Sequence, residues 1–215
     1  MTTRMRLFIA LAALVALTVP LAATADHVSA DWDDGNVGGW FPATGAATLA
    51  VWPTDGYGGG YLESYEQPFT YGIAGAINYA AAYTGDFNVH GYVRMQVAVS
   101  FLAGTFDTVY IHIRYQDSAH NGWYLPLAAD LGSGGWQWFD VSFDPHWIDQ
   151  QALDAGWLQE TSSPSFSTTM SDVYHTGIKA TGIGALSLGL DSFRLWDGTV
   201  PPVEFSWGEI KALYR

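Results

Sequence analysis

The sequence predicts an all-β protein built as a sandwich of two antiparallel sheets, and three observations support this class. The 215 residues include 24 glycines and 15% aromatic residues, whereas only 13% are charged. Apolar and polar residues alternate with a period of two over several short stretches. Turn signals rich in Gly, Asn and Asp separate these stretches, with no long helical pattern between them. This combination is typical of a β-sandwich rather than of a helical bundle or a parallel α/β fold.

The alternation is clearest in the middle of the chain. Residues 93–101 and 109–115 each place apolar side chains on one face of an extended strand. Gly104 and Thr105 lie between the two stretches and suggest a turn. We therefore expect an antiparallel hairpin here.

About eight strands are expected in all. Further strands are predicted at residues 123–128, 136–143, 173–179 and 185–196. Residues 145–171 lack the period of two, so a helical turn or two is expected there. The side chains expected to turn inward from this segment are Trp147, Leu153, Trp157 and Leu158.

The two ends of the chain are expected to lie outside the sandwich. Arg4 and Arg6, the apolar residues 7–19 and the small residues 23–25 together predict a secretory signal peptide over residues 1–25. The apolar stretch is short for a membrane span, which needs about 20 residues, so no span is expected after cleavage. The sandwich domain is predicted over residues 26–198, followed by a Pro linker and tail over residues 199–215. The protein is thus expected to be secreted, in an extracellular or periplasmic location.

Charge and cysteine content exclude several classes of function. The formal net charge of −13 argues against nucleic acid as a partner, because phosphate binding needs a basic surface. It also argues against docking on an anionic membrane. The absence of cysteine excludes disulfides, thiolate catalysis and zinc–thiolate sites.

Short motifs along the chain resemble those of jelly-roll carbohydrate-binding modules and laminin-B-type domains, which share a galactose-binding-like fold. The motifs are DWDDG at 31–35, GW at 39–40, TGDF at 84–87, WFDV at 138–141 and GLDSFRL at 189–195. Ser192 stands where the closing motif of these families usually has Asn. The resemblance covers roughly residues 30–198, and it implies a secreted, non-catalytic jelly-roll β-sandwich.

A candidate binding surface follows from the predicted strands. If the apolar faces of residues 93–101, 109–115 and 136–143 are buried, a polar and aromatic stripe faces the other way. Sugars are bound by such a mixture, because aromatic rings contact their C–H faces and planar polar groups bind their hydroxyls. The predicted ligand-binding residues are Arg94, Gln96, Tyr110, His112, Arg114, Trp136, Trp138 and Asp140. The alternative is that residues 145–171 fold over this stripe and form a second small core.

The acidic residues near the two ends of the domain are candidates for a structural calcium site. Calcium prefers carboxylate and carbonyl oxygens in loops. In the families that this chain resembles, the two ends meet and often share a Ca²⁺ ion. The resemblance implies Asp33 and Asp191 as the best ligands, with Asp31 and Asp86 as weaker ones. The alternative is that these residues are ordinary solvated acids.

The leading functional hypothesis is non-catalytic binding of a polysaccharide or other glycan outside the cell. The main alternative is a structural or adhesion domain that associates with proteins at the cell surface, and the tail at residues 206–215 is a candidate docking segment for a protein partner. A polysaccharide-active enzyme is a minor alternative, since glycoside hydrolysis needs two carboxyl groups. The carboxylate pairs available for it are Glu63 with Glu66 and Asp140 with Asp144.

Overall fold

The computed structural model describes residues 27–68, 70–115, 121–132 and 134–198, and they form ten β-strands with short helices between them. The strands are β1 His27–Ala30, β2 Trp40–Pro42, β3 Ala47–Trp52, β4 Tyr61–Glu66, β5 Ile73–Asn78, β6 Arg94–Tyr115, β7 Gly122–Pro126, β8 Gln137–Ser142, β9 Leu158–Gln159 and β10 Val173–Trp196. The helices are α1 Phe87–His90, α2 Asp149–Asp154 and α3 Phe166–Ser171, with a 3-10 turn at Ala81–Tyr83. The predicted signal peptide and the predicted tail lie outside the described residues.

The expected hairpin is wrong, because both of its strands belong to the single long strand β6. β6 pairs with β10 along nearly its whole length, in antiparallel register from Val173↔Tyr115 to Trp196↔Arg94. Gly104 has a φ of 101°, and the register between the two strands shifts on both sides of it. A glycine with positive φ together with irregular pairing bends a strand instead of reversing it. The two predicted closing strands are likewise one strand, β10, which bends near Gly184.

These two bent strands hold the sandwich together, because each runs through both of its layers. The layer named sheet I contains β1, β3, β4 and β8 together with residues 94–101 of β6 and 186–196 of β10. The layer named sheet II contains β2, β5, β7 and β9 together with residues 105–115 of β6 and 173–183 of β10. All strand pairs are antiparallel. The predicted class, an all-β sandwich of two antiparallel sheets, is confirmed.

The hydrophobic core fills the space between the two layers. Alternate residues point inward in both halves of β6, on either side of the bend, and Met95, Val97 and Ile111 are completely buried. Trp40 of sheet II packs edge-on against Phe193 of sheet I, with ring centroids 4.9 Å apart. One continuous cluster of buried apolar side chains therefore joins both sheets.

The segment at residues 145–171 closes one edge of the sandwich and extends sheet II through β9. Its buried side chains Trp157, Phe166 and Met170 join the main core rather than a second one. Trp157 and the partly buried Trp147 point inward as predicted, but the same prediction is wrong for Leu153 and Leu158, which are 43% and 41% exposed. In the described part of the chain, no helix is both long and apolar enough to cross a membrane.

Candidate functional site

The structure divides the predicted binding stripe between two outward surfaces. We call the outward side of sheet II the groove face and the outward side of sheet I the tryptophan face. The predicted residues on the groove face are Tyr110, His112 and Arg114. Those on the tryptophan face are Arg94, Gln96, Trp136, Trp138 and Asp140. The stripe is split because β6 passes from one layer to the other, so its outward residues face opposite sides of the sandwich.

A groove of about 420 Å³ lies on the groove face, over β6, β7 and the chain that follows β9. Its lining residues are Thr108, Tyr110, Tyr124, Pro126, Gln159, Glu160 and Thr161. The rings of Tyr110 and Tyr124 lie side by side on neighbouring strands, with centroids 5.4 Å apart. The groove thus combines two phenol rings with one carboxylate and several hydroxyl and amide groups.

Aromatic and imidazole rings continue from this groove across the whole width of sheet II. Neighbouring ring centroids lie 5.2 to 6.3 Å apart in this row. The row runs through Phe41, Tyr79, His175, His112, Tyr110 and Tyr124, with Tyr174 beside Tyr79. Phe41 is 52% exposed and Tyr79 is 38% exposed, so one end of the row is open to solvent. The face therefore has accessible aromatic rings at both ends of this row and two buried imidazole rings at its centre.

A short hydrogen-bond chain joins the two histidines of this strip to Glu160. His175 Nε2 lies 3.3 Å from His112 Nδ1, and His112 Nε2 lies 3.3 Å from a carboxylate oxygen of Glu160. Burial lowers the pKa of His112 to about 4, although Glu160 opposes the shift, so the ring is neutral at pH 7. Both hydrogen bonds can form between neutral rings when each ring carries its proton on Nε2. His175 then donates to His112, and His112 donates to Glu160. His112, expected to face solvent, is outward on the strand but buried beneath these neighbours.

Two basic side chains lie around the same cluster. Arg114 Nη2 is 3.8 Å from Glu160, while Arg114 Nε is buried and has no hydrogen-bond partner among the described residues. Burial would raise the pKa of Glu160, but the hydrogen bond with His112 and the nearby positive charges hold it below its usual value. Lys179 of β10 pairs in register with Tyr110 and is only 9% exposed. The face therefore gathers two cations around one ionised carboxylate.

The buried histidine pair makes the stability of the protein sensitive to acid. The unfolded chain protonates His112 near pH 6.5 and the folded chain only near pH 4, so the unfolded state binds more protons between these values. We expect the free energy of unfolding to fall by about 2–3 kcal/mol as the pH falls from 7 to 4.5. The lowered pKa values of His175 and Glu160 act in the same direction. Thermal melts across this pH range measure the effect.

The matched variants for this pH prediction are His112→Gln and His146→Gln. His146 is exposed and lies in a turn away from the cluster. The His112 variant should flatten the dependence of the melting temperature on pH, and the His146 variant should leave it unchanged. Equal slopes in both variants would contradict the assignment of the acid sensitivity to the buried pair.

On the tryptophan face, the two predicted tryptophans contact the loop before β4, whereas the predicted polar residues contact one another. The Trp138 ring is stacked on Tyr57, with centroids 5.5 Å apart and an interplanar angle of 21°. Trp136 donates a hydrogen bond from Nε1 to the carbonyl oxygen of Asp55. Arg94 forms a bidentate ion pair with Asp140, which also accepts from Gln96. This face is a surface of exposed rings.

The predicted calcium ligands Asp33 and Asp191 converge on one glycine-rich loop, residues 56–60. Asp33 accepts a hydrogen bond from the Gly60 amide at 2.5 Å, and Asp191 accepts from the Gly58 amide at 3.1 Å. The other oxygen of Asp191 accepts from the amide and hydroxyl of Ser192. Three of the four carboxylate oxygens accept these hydrogen bonds, so a calcium ion would compete with the protein's own donors. Calcium binding here therefore stays a prediction, tested below.

The other predicted acidic candidates have local structural roles. Asp31 accepts from the Asp33 amide, and Asp86 caps α1 by accepting from the amides of Asn88 and Val89. Among the residues that the structure describes, no three His, Cys, Asp or Glu side chains form a group that could hold a metal ion.

The carboxylate pairs considered for catalysis are also held by hydrogen bonds. Glu63 accepts from Trp52 Nε1 and Ser187, and the buried Glu66 accepts from two backbone amides. Asp140 pairs with Arg94, as described above, and Asp144 accepts from the His146 amide. Each of these carboxylates thus stabilises a local structure.

Four important residues of the groove face were missed by the sequence reasoning: Tyr124, Glu160, His175 and Lys179. For two of these residues, the sequence contains a pattern from which they could have been predicted. Tyr124 alternates with the inward Trp123 in a predicted strand, and Lys179 is a lone charge inside an apolar run. No such pattern exists for Glu160, because it lies in a segment without a β period and reaches the face through tertiary packing.

Comparison with known proteins finds similarity in structure but not in sequence. No protein-family model matches the chain, and no curated protein matches it. One similar structure is a family 11 carbohydrate-binding module from Clostridium thermocellum in complex with a β-1,3-1,4-mixed-linked tetrasaccharide. It superimposes with a TM-score of 0.52 and 13% sequence identity, and the match covers 81% of this chain and 96% of the module. The family 11 module of the cellulosomal cellulase Lic26A-Cel5E from the same organism gives a TM-score of 0.53 and 12% identity, covering 85% of this chain and all of the module.

Part of a larger enzyme shows the same fold. A structure of an exo-β-agarase gives a TM-score of 0.52 and 11% identity; the match covers 80% of this chain but only 24% of the agarase. At these identities the similarity establishes the fold alone. The chain thus has the jelly-roll fold seen in carbohydrate-binding modules, and the jelly-roll fold predicted from its motifs is confirmed.

Proposed function

We propose that this protein is a secreted, non-catalytic carbohydrate-binding module whose ligand lies along the groove face. The observation that carries the proposal is the groove of about 420 Å³ in which Tyr110, Tyr124 and Glu160 meet. Pyranose rings offer apolar C–H faces to phenol rings and hydroxyl groups to carboxylate, amide and guanidinium groups. The groove face provides both kinds of contact next to each other.

The row of rings extends this argument beyond one sugar unit. It crosses sheet II from Phe41 to Tyr124, with the two histidine rings buried in its middle. Its accessible rings therefore lie at two separate ends, and a ligand that contacts both ends is an elongated chain rather than a single monosaccharide. The family 11 module with the same fold is described in complex with a tetrasaccharide, and this supports an oligosaccharide as the ligand class here. Secretion rests on the predicted signal peptide at residues 1–25.

Loss of binding in a groove variant tests this proposal. Residues 26–215 are screened against soluble β-glucan, xylan, galactan and pectin and against insoluble cellulose and chitin, and affinity for the retained glycan is then measured by calorimetry. Tyr124→Ala removes one phenol ring from the groove and should weaken binding about tenfold, since a ring contact contributes roughly 1 kcal/mol or more. Its melting temperature should remain close to that of the parent, because Tyr124 is only half-buried.

The matched control is Trp138→Ala, which truncates an aromatic residue on the tryptophan face. It should bind like the parent protein. Loss of binding in the Trp138 variant, with retention in the Tyr124 variant, would instead place the glycan on the tryptophan face. Absence of binding to every glycan by the folded protein would overturn the proposed function.

The second candidate function, protein association, is favoured by the tryptophan face. Its exposed rings Trp52, Tyr57, Tyr65 and Trp138 form a surface of the kind found at interfaces. The same preparation discriminates the two functions by size-exclusion chromatography. A glycan-binding module should elute as a monomer, whereas an assembly protein should elute as an oligomer and ignore glycans.

A further inference from the structure

Two of the four Lys and Arg side chains in the described residues lie on the groove face of a protein whose formal net charge is −13. Arg114 and Lys179 lie on neighbouring strands there, and the only carboxylate described beside them is Glu160. Glu160 is already shared, because it accepts from His112 and faces Arg114. Two cations therefore have one carboxylate between them, and both histidines are neutral at pH 7.

Lys179 is the cation that shares the charge of Glu160 without forming an ion pair with it. It is only 9% exposed, and among the described residues it forms no ion pair and no hydrogen bond. Burying an ammonium group without an anionic partner destabilises a protein, so such groups usually have a role that depends on the charge. By contrast, Arg94 on the tryptophan face is paired with Asp140.

The two glycines that neighbour Lys179 have no side chain to shield it, and its surroundings include one donor and two acceptors that lack partners among the described residues. On the outward side of the sheet its neighbours include Gly75 across the strand pair and Gly177 along β10, which have no side chains to cover it. Tyr110, its register partner on β6, lines the groove. Three buried polar atoms of the same cluster have no hydrogen-bond partner among the described residues: Arg114 Nε, His175 Nδ1 and Glu160 Oε2. Buried polar atoms of this kind are normally satisfied by water, an ion or a ligand.

We infer that the groove face selects glycans with negatively charged sugar residues, and that Lys179 and Arg114 bind the anionic group. This inference rests on the proposed function and names the class of its ligand. A carboxylate or a sulfate ester on the sugar would supply the ion-pair partner that Lys179 lacks among the described residues. The remaining sugar hydroxyls would meet Glu160 and the tyrosines of the groove.

The ionisation of Lys179 gives this inference a characteristic pH dependence. Burial, together with the charge of Arg114, lowers the pKa of Lys179 to about 8, while Glu160 opposes the shift. The groups around it do not titrate between pH 7 and 9, since His112 and His175 are already neutral, Glu160 is ionised, and burial raises the pKa of Tyr110 to about 12. Affinity for a charged sugar should therefore fall as the pH rises from 7 to 9, whereas affinity for a neutral sugar should not.

The experiment compares charged oligosaccharides with neutral counterparts of the same linkage. An oligogalacturonide is measured against its carboxyl-reduced form, and a sulfated galactan oligosaccharide against its desulfated form, by calorimetry on residues 26–215. At least one charged member should bind about 10- to 100-fold more tightly than its neutral counterpart, as expected for hydrogen bonds to charged groups. The pair that shows the preference identifies carboxylate or sulfate as the anionic group.

Variants locate the preference on the groove face. Lys179→Met should abolish this preference by lowering the affinity for the charged oligosaccharide to that for its neutral counterpart. Arg94→Met on the tryptophan face should leave the preference unchanged. Because Lys179→Met removes an unpaired buried charge, its melting temperature should not fall. If this variant unfolds, the preference for the charged oligosaccharide is tested instead with Arg114→Gln and with the pH series on the parent protein.

The outcomes separate this inference from the proposed function. Equal binding of charged and neutral members, or a preference that survives Lys179→Met, overturns the inference and leaves glycan binding intact. Binding of no oligosaccharide and no polysaccharide overturns the proposed function itself.

Discussion

Replacing Trp123 by alanine should lower the free energy of unfolding by about 3–5 kcal/mol, as for other fully buried tryptophans. Trp123 is completely buried, packs edge-on against Phe166 and donates a hydrogen bond from Nε1 to the carbonyl oxygen of Pro164 at 3.1 Å. Its removal leaves a cavity between β7 and the segment at residues 145–171. The melting temperature should fall by roughly 10 °C.

The same substitution should also affect the site, because Glu160 lies in the segment that Trp123 anchors. The Glu160 amide donates to the carbonyl oxygen of Gly122, the neighbour of Trp123. A loosened segment should therefore weaken glycan binding even at temperatures where the protein is folded. Trp138→Ala is the control, since this ring is 37% exposed and its loss should shift the melt by only a few degrees. Similar shifts in both variants would contradict the structural role given to Trp123.

Replacing Asp191 by alanine should cost about 2–3 kcal/mol, because the hydrogen bonds of a buried carboxylate are lost together. Asp191 is 1% exposed and anchors the glycine-rich loop to β10 through the Gly58 amide. Burial raises the pKa of Asp191, although its backbone hydrogen bonds oppose the shift. The matched control is Asp107→Ala, which removes an exposed carboxylate from β6 and should change the melting temperature very little.

The Asp191 variant also tests the calcium prediction. Melts of the parent and the variant are recorded with calcium and with chelator. If the carboxylate acts only through its hydrogen bonds, the loss of stability in Asp191→Ala should be the same in both buffers. A parent protein that loses several degrees with chelator and regains them with calcium, in a manner abolished by Asp191→Ala, would establish calcium binding instead.

The groove face shows which parts of a site could be predicted from the chain. Strand periodicity predicts that Tyr110, His112 and Arg114 share one face of a strand, and they do so in β6. The sequence alone could not decide whether these residues share a face with Trp138 and Asp140. Periodicity shows which side of a strand a residue lies on, but it does not show to which of the two sheets that part of the strand belongs. Lys179, His175 and Glu160 join Tyr110 only after β10 and the 145–171 segment have packed.

The sequence by itself determined the class of fold, because alternation with period two and closely spaced turn residues are local properties of the chain. It also determined the composition of the core and the negative charge that argues against nucleic acid. Only the tertiary structure decided that Gly104 bends β6 rather than reversing it, since a glycine permits both and the pairing with β10 selects one. That single bend places Tyr110 and Arg94 on opposite faces, and long-range packing then brings Glu160, His175 and Lys179 to the groove face.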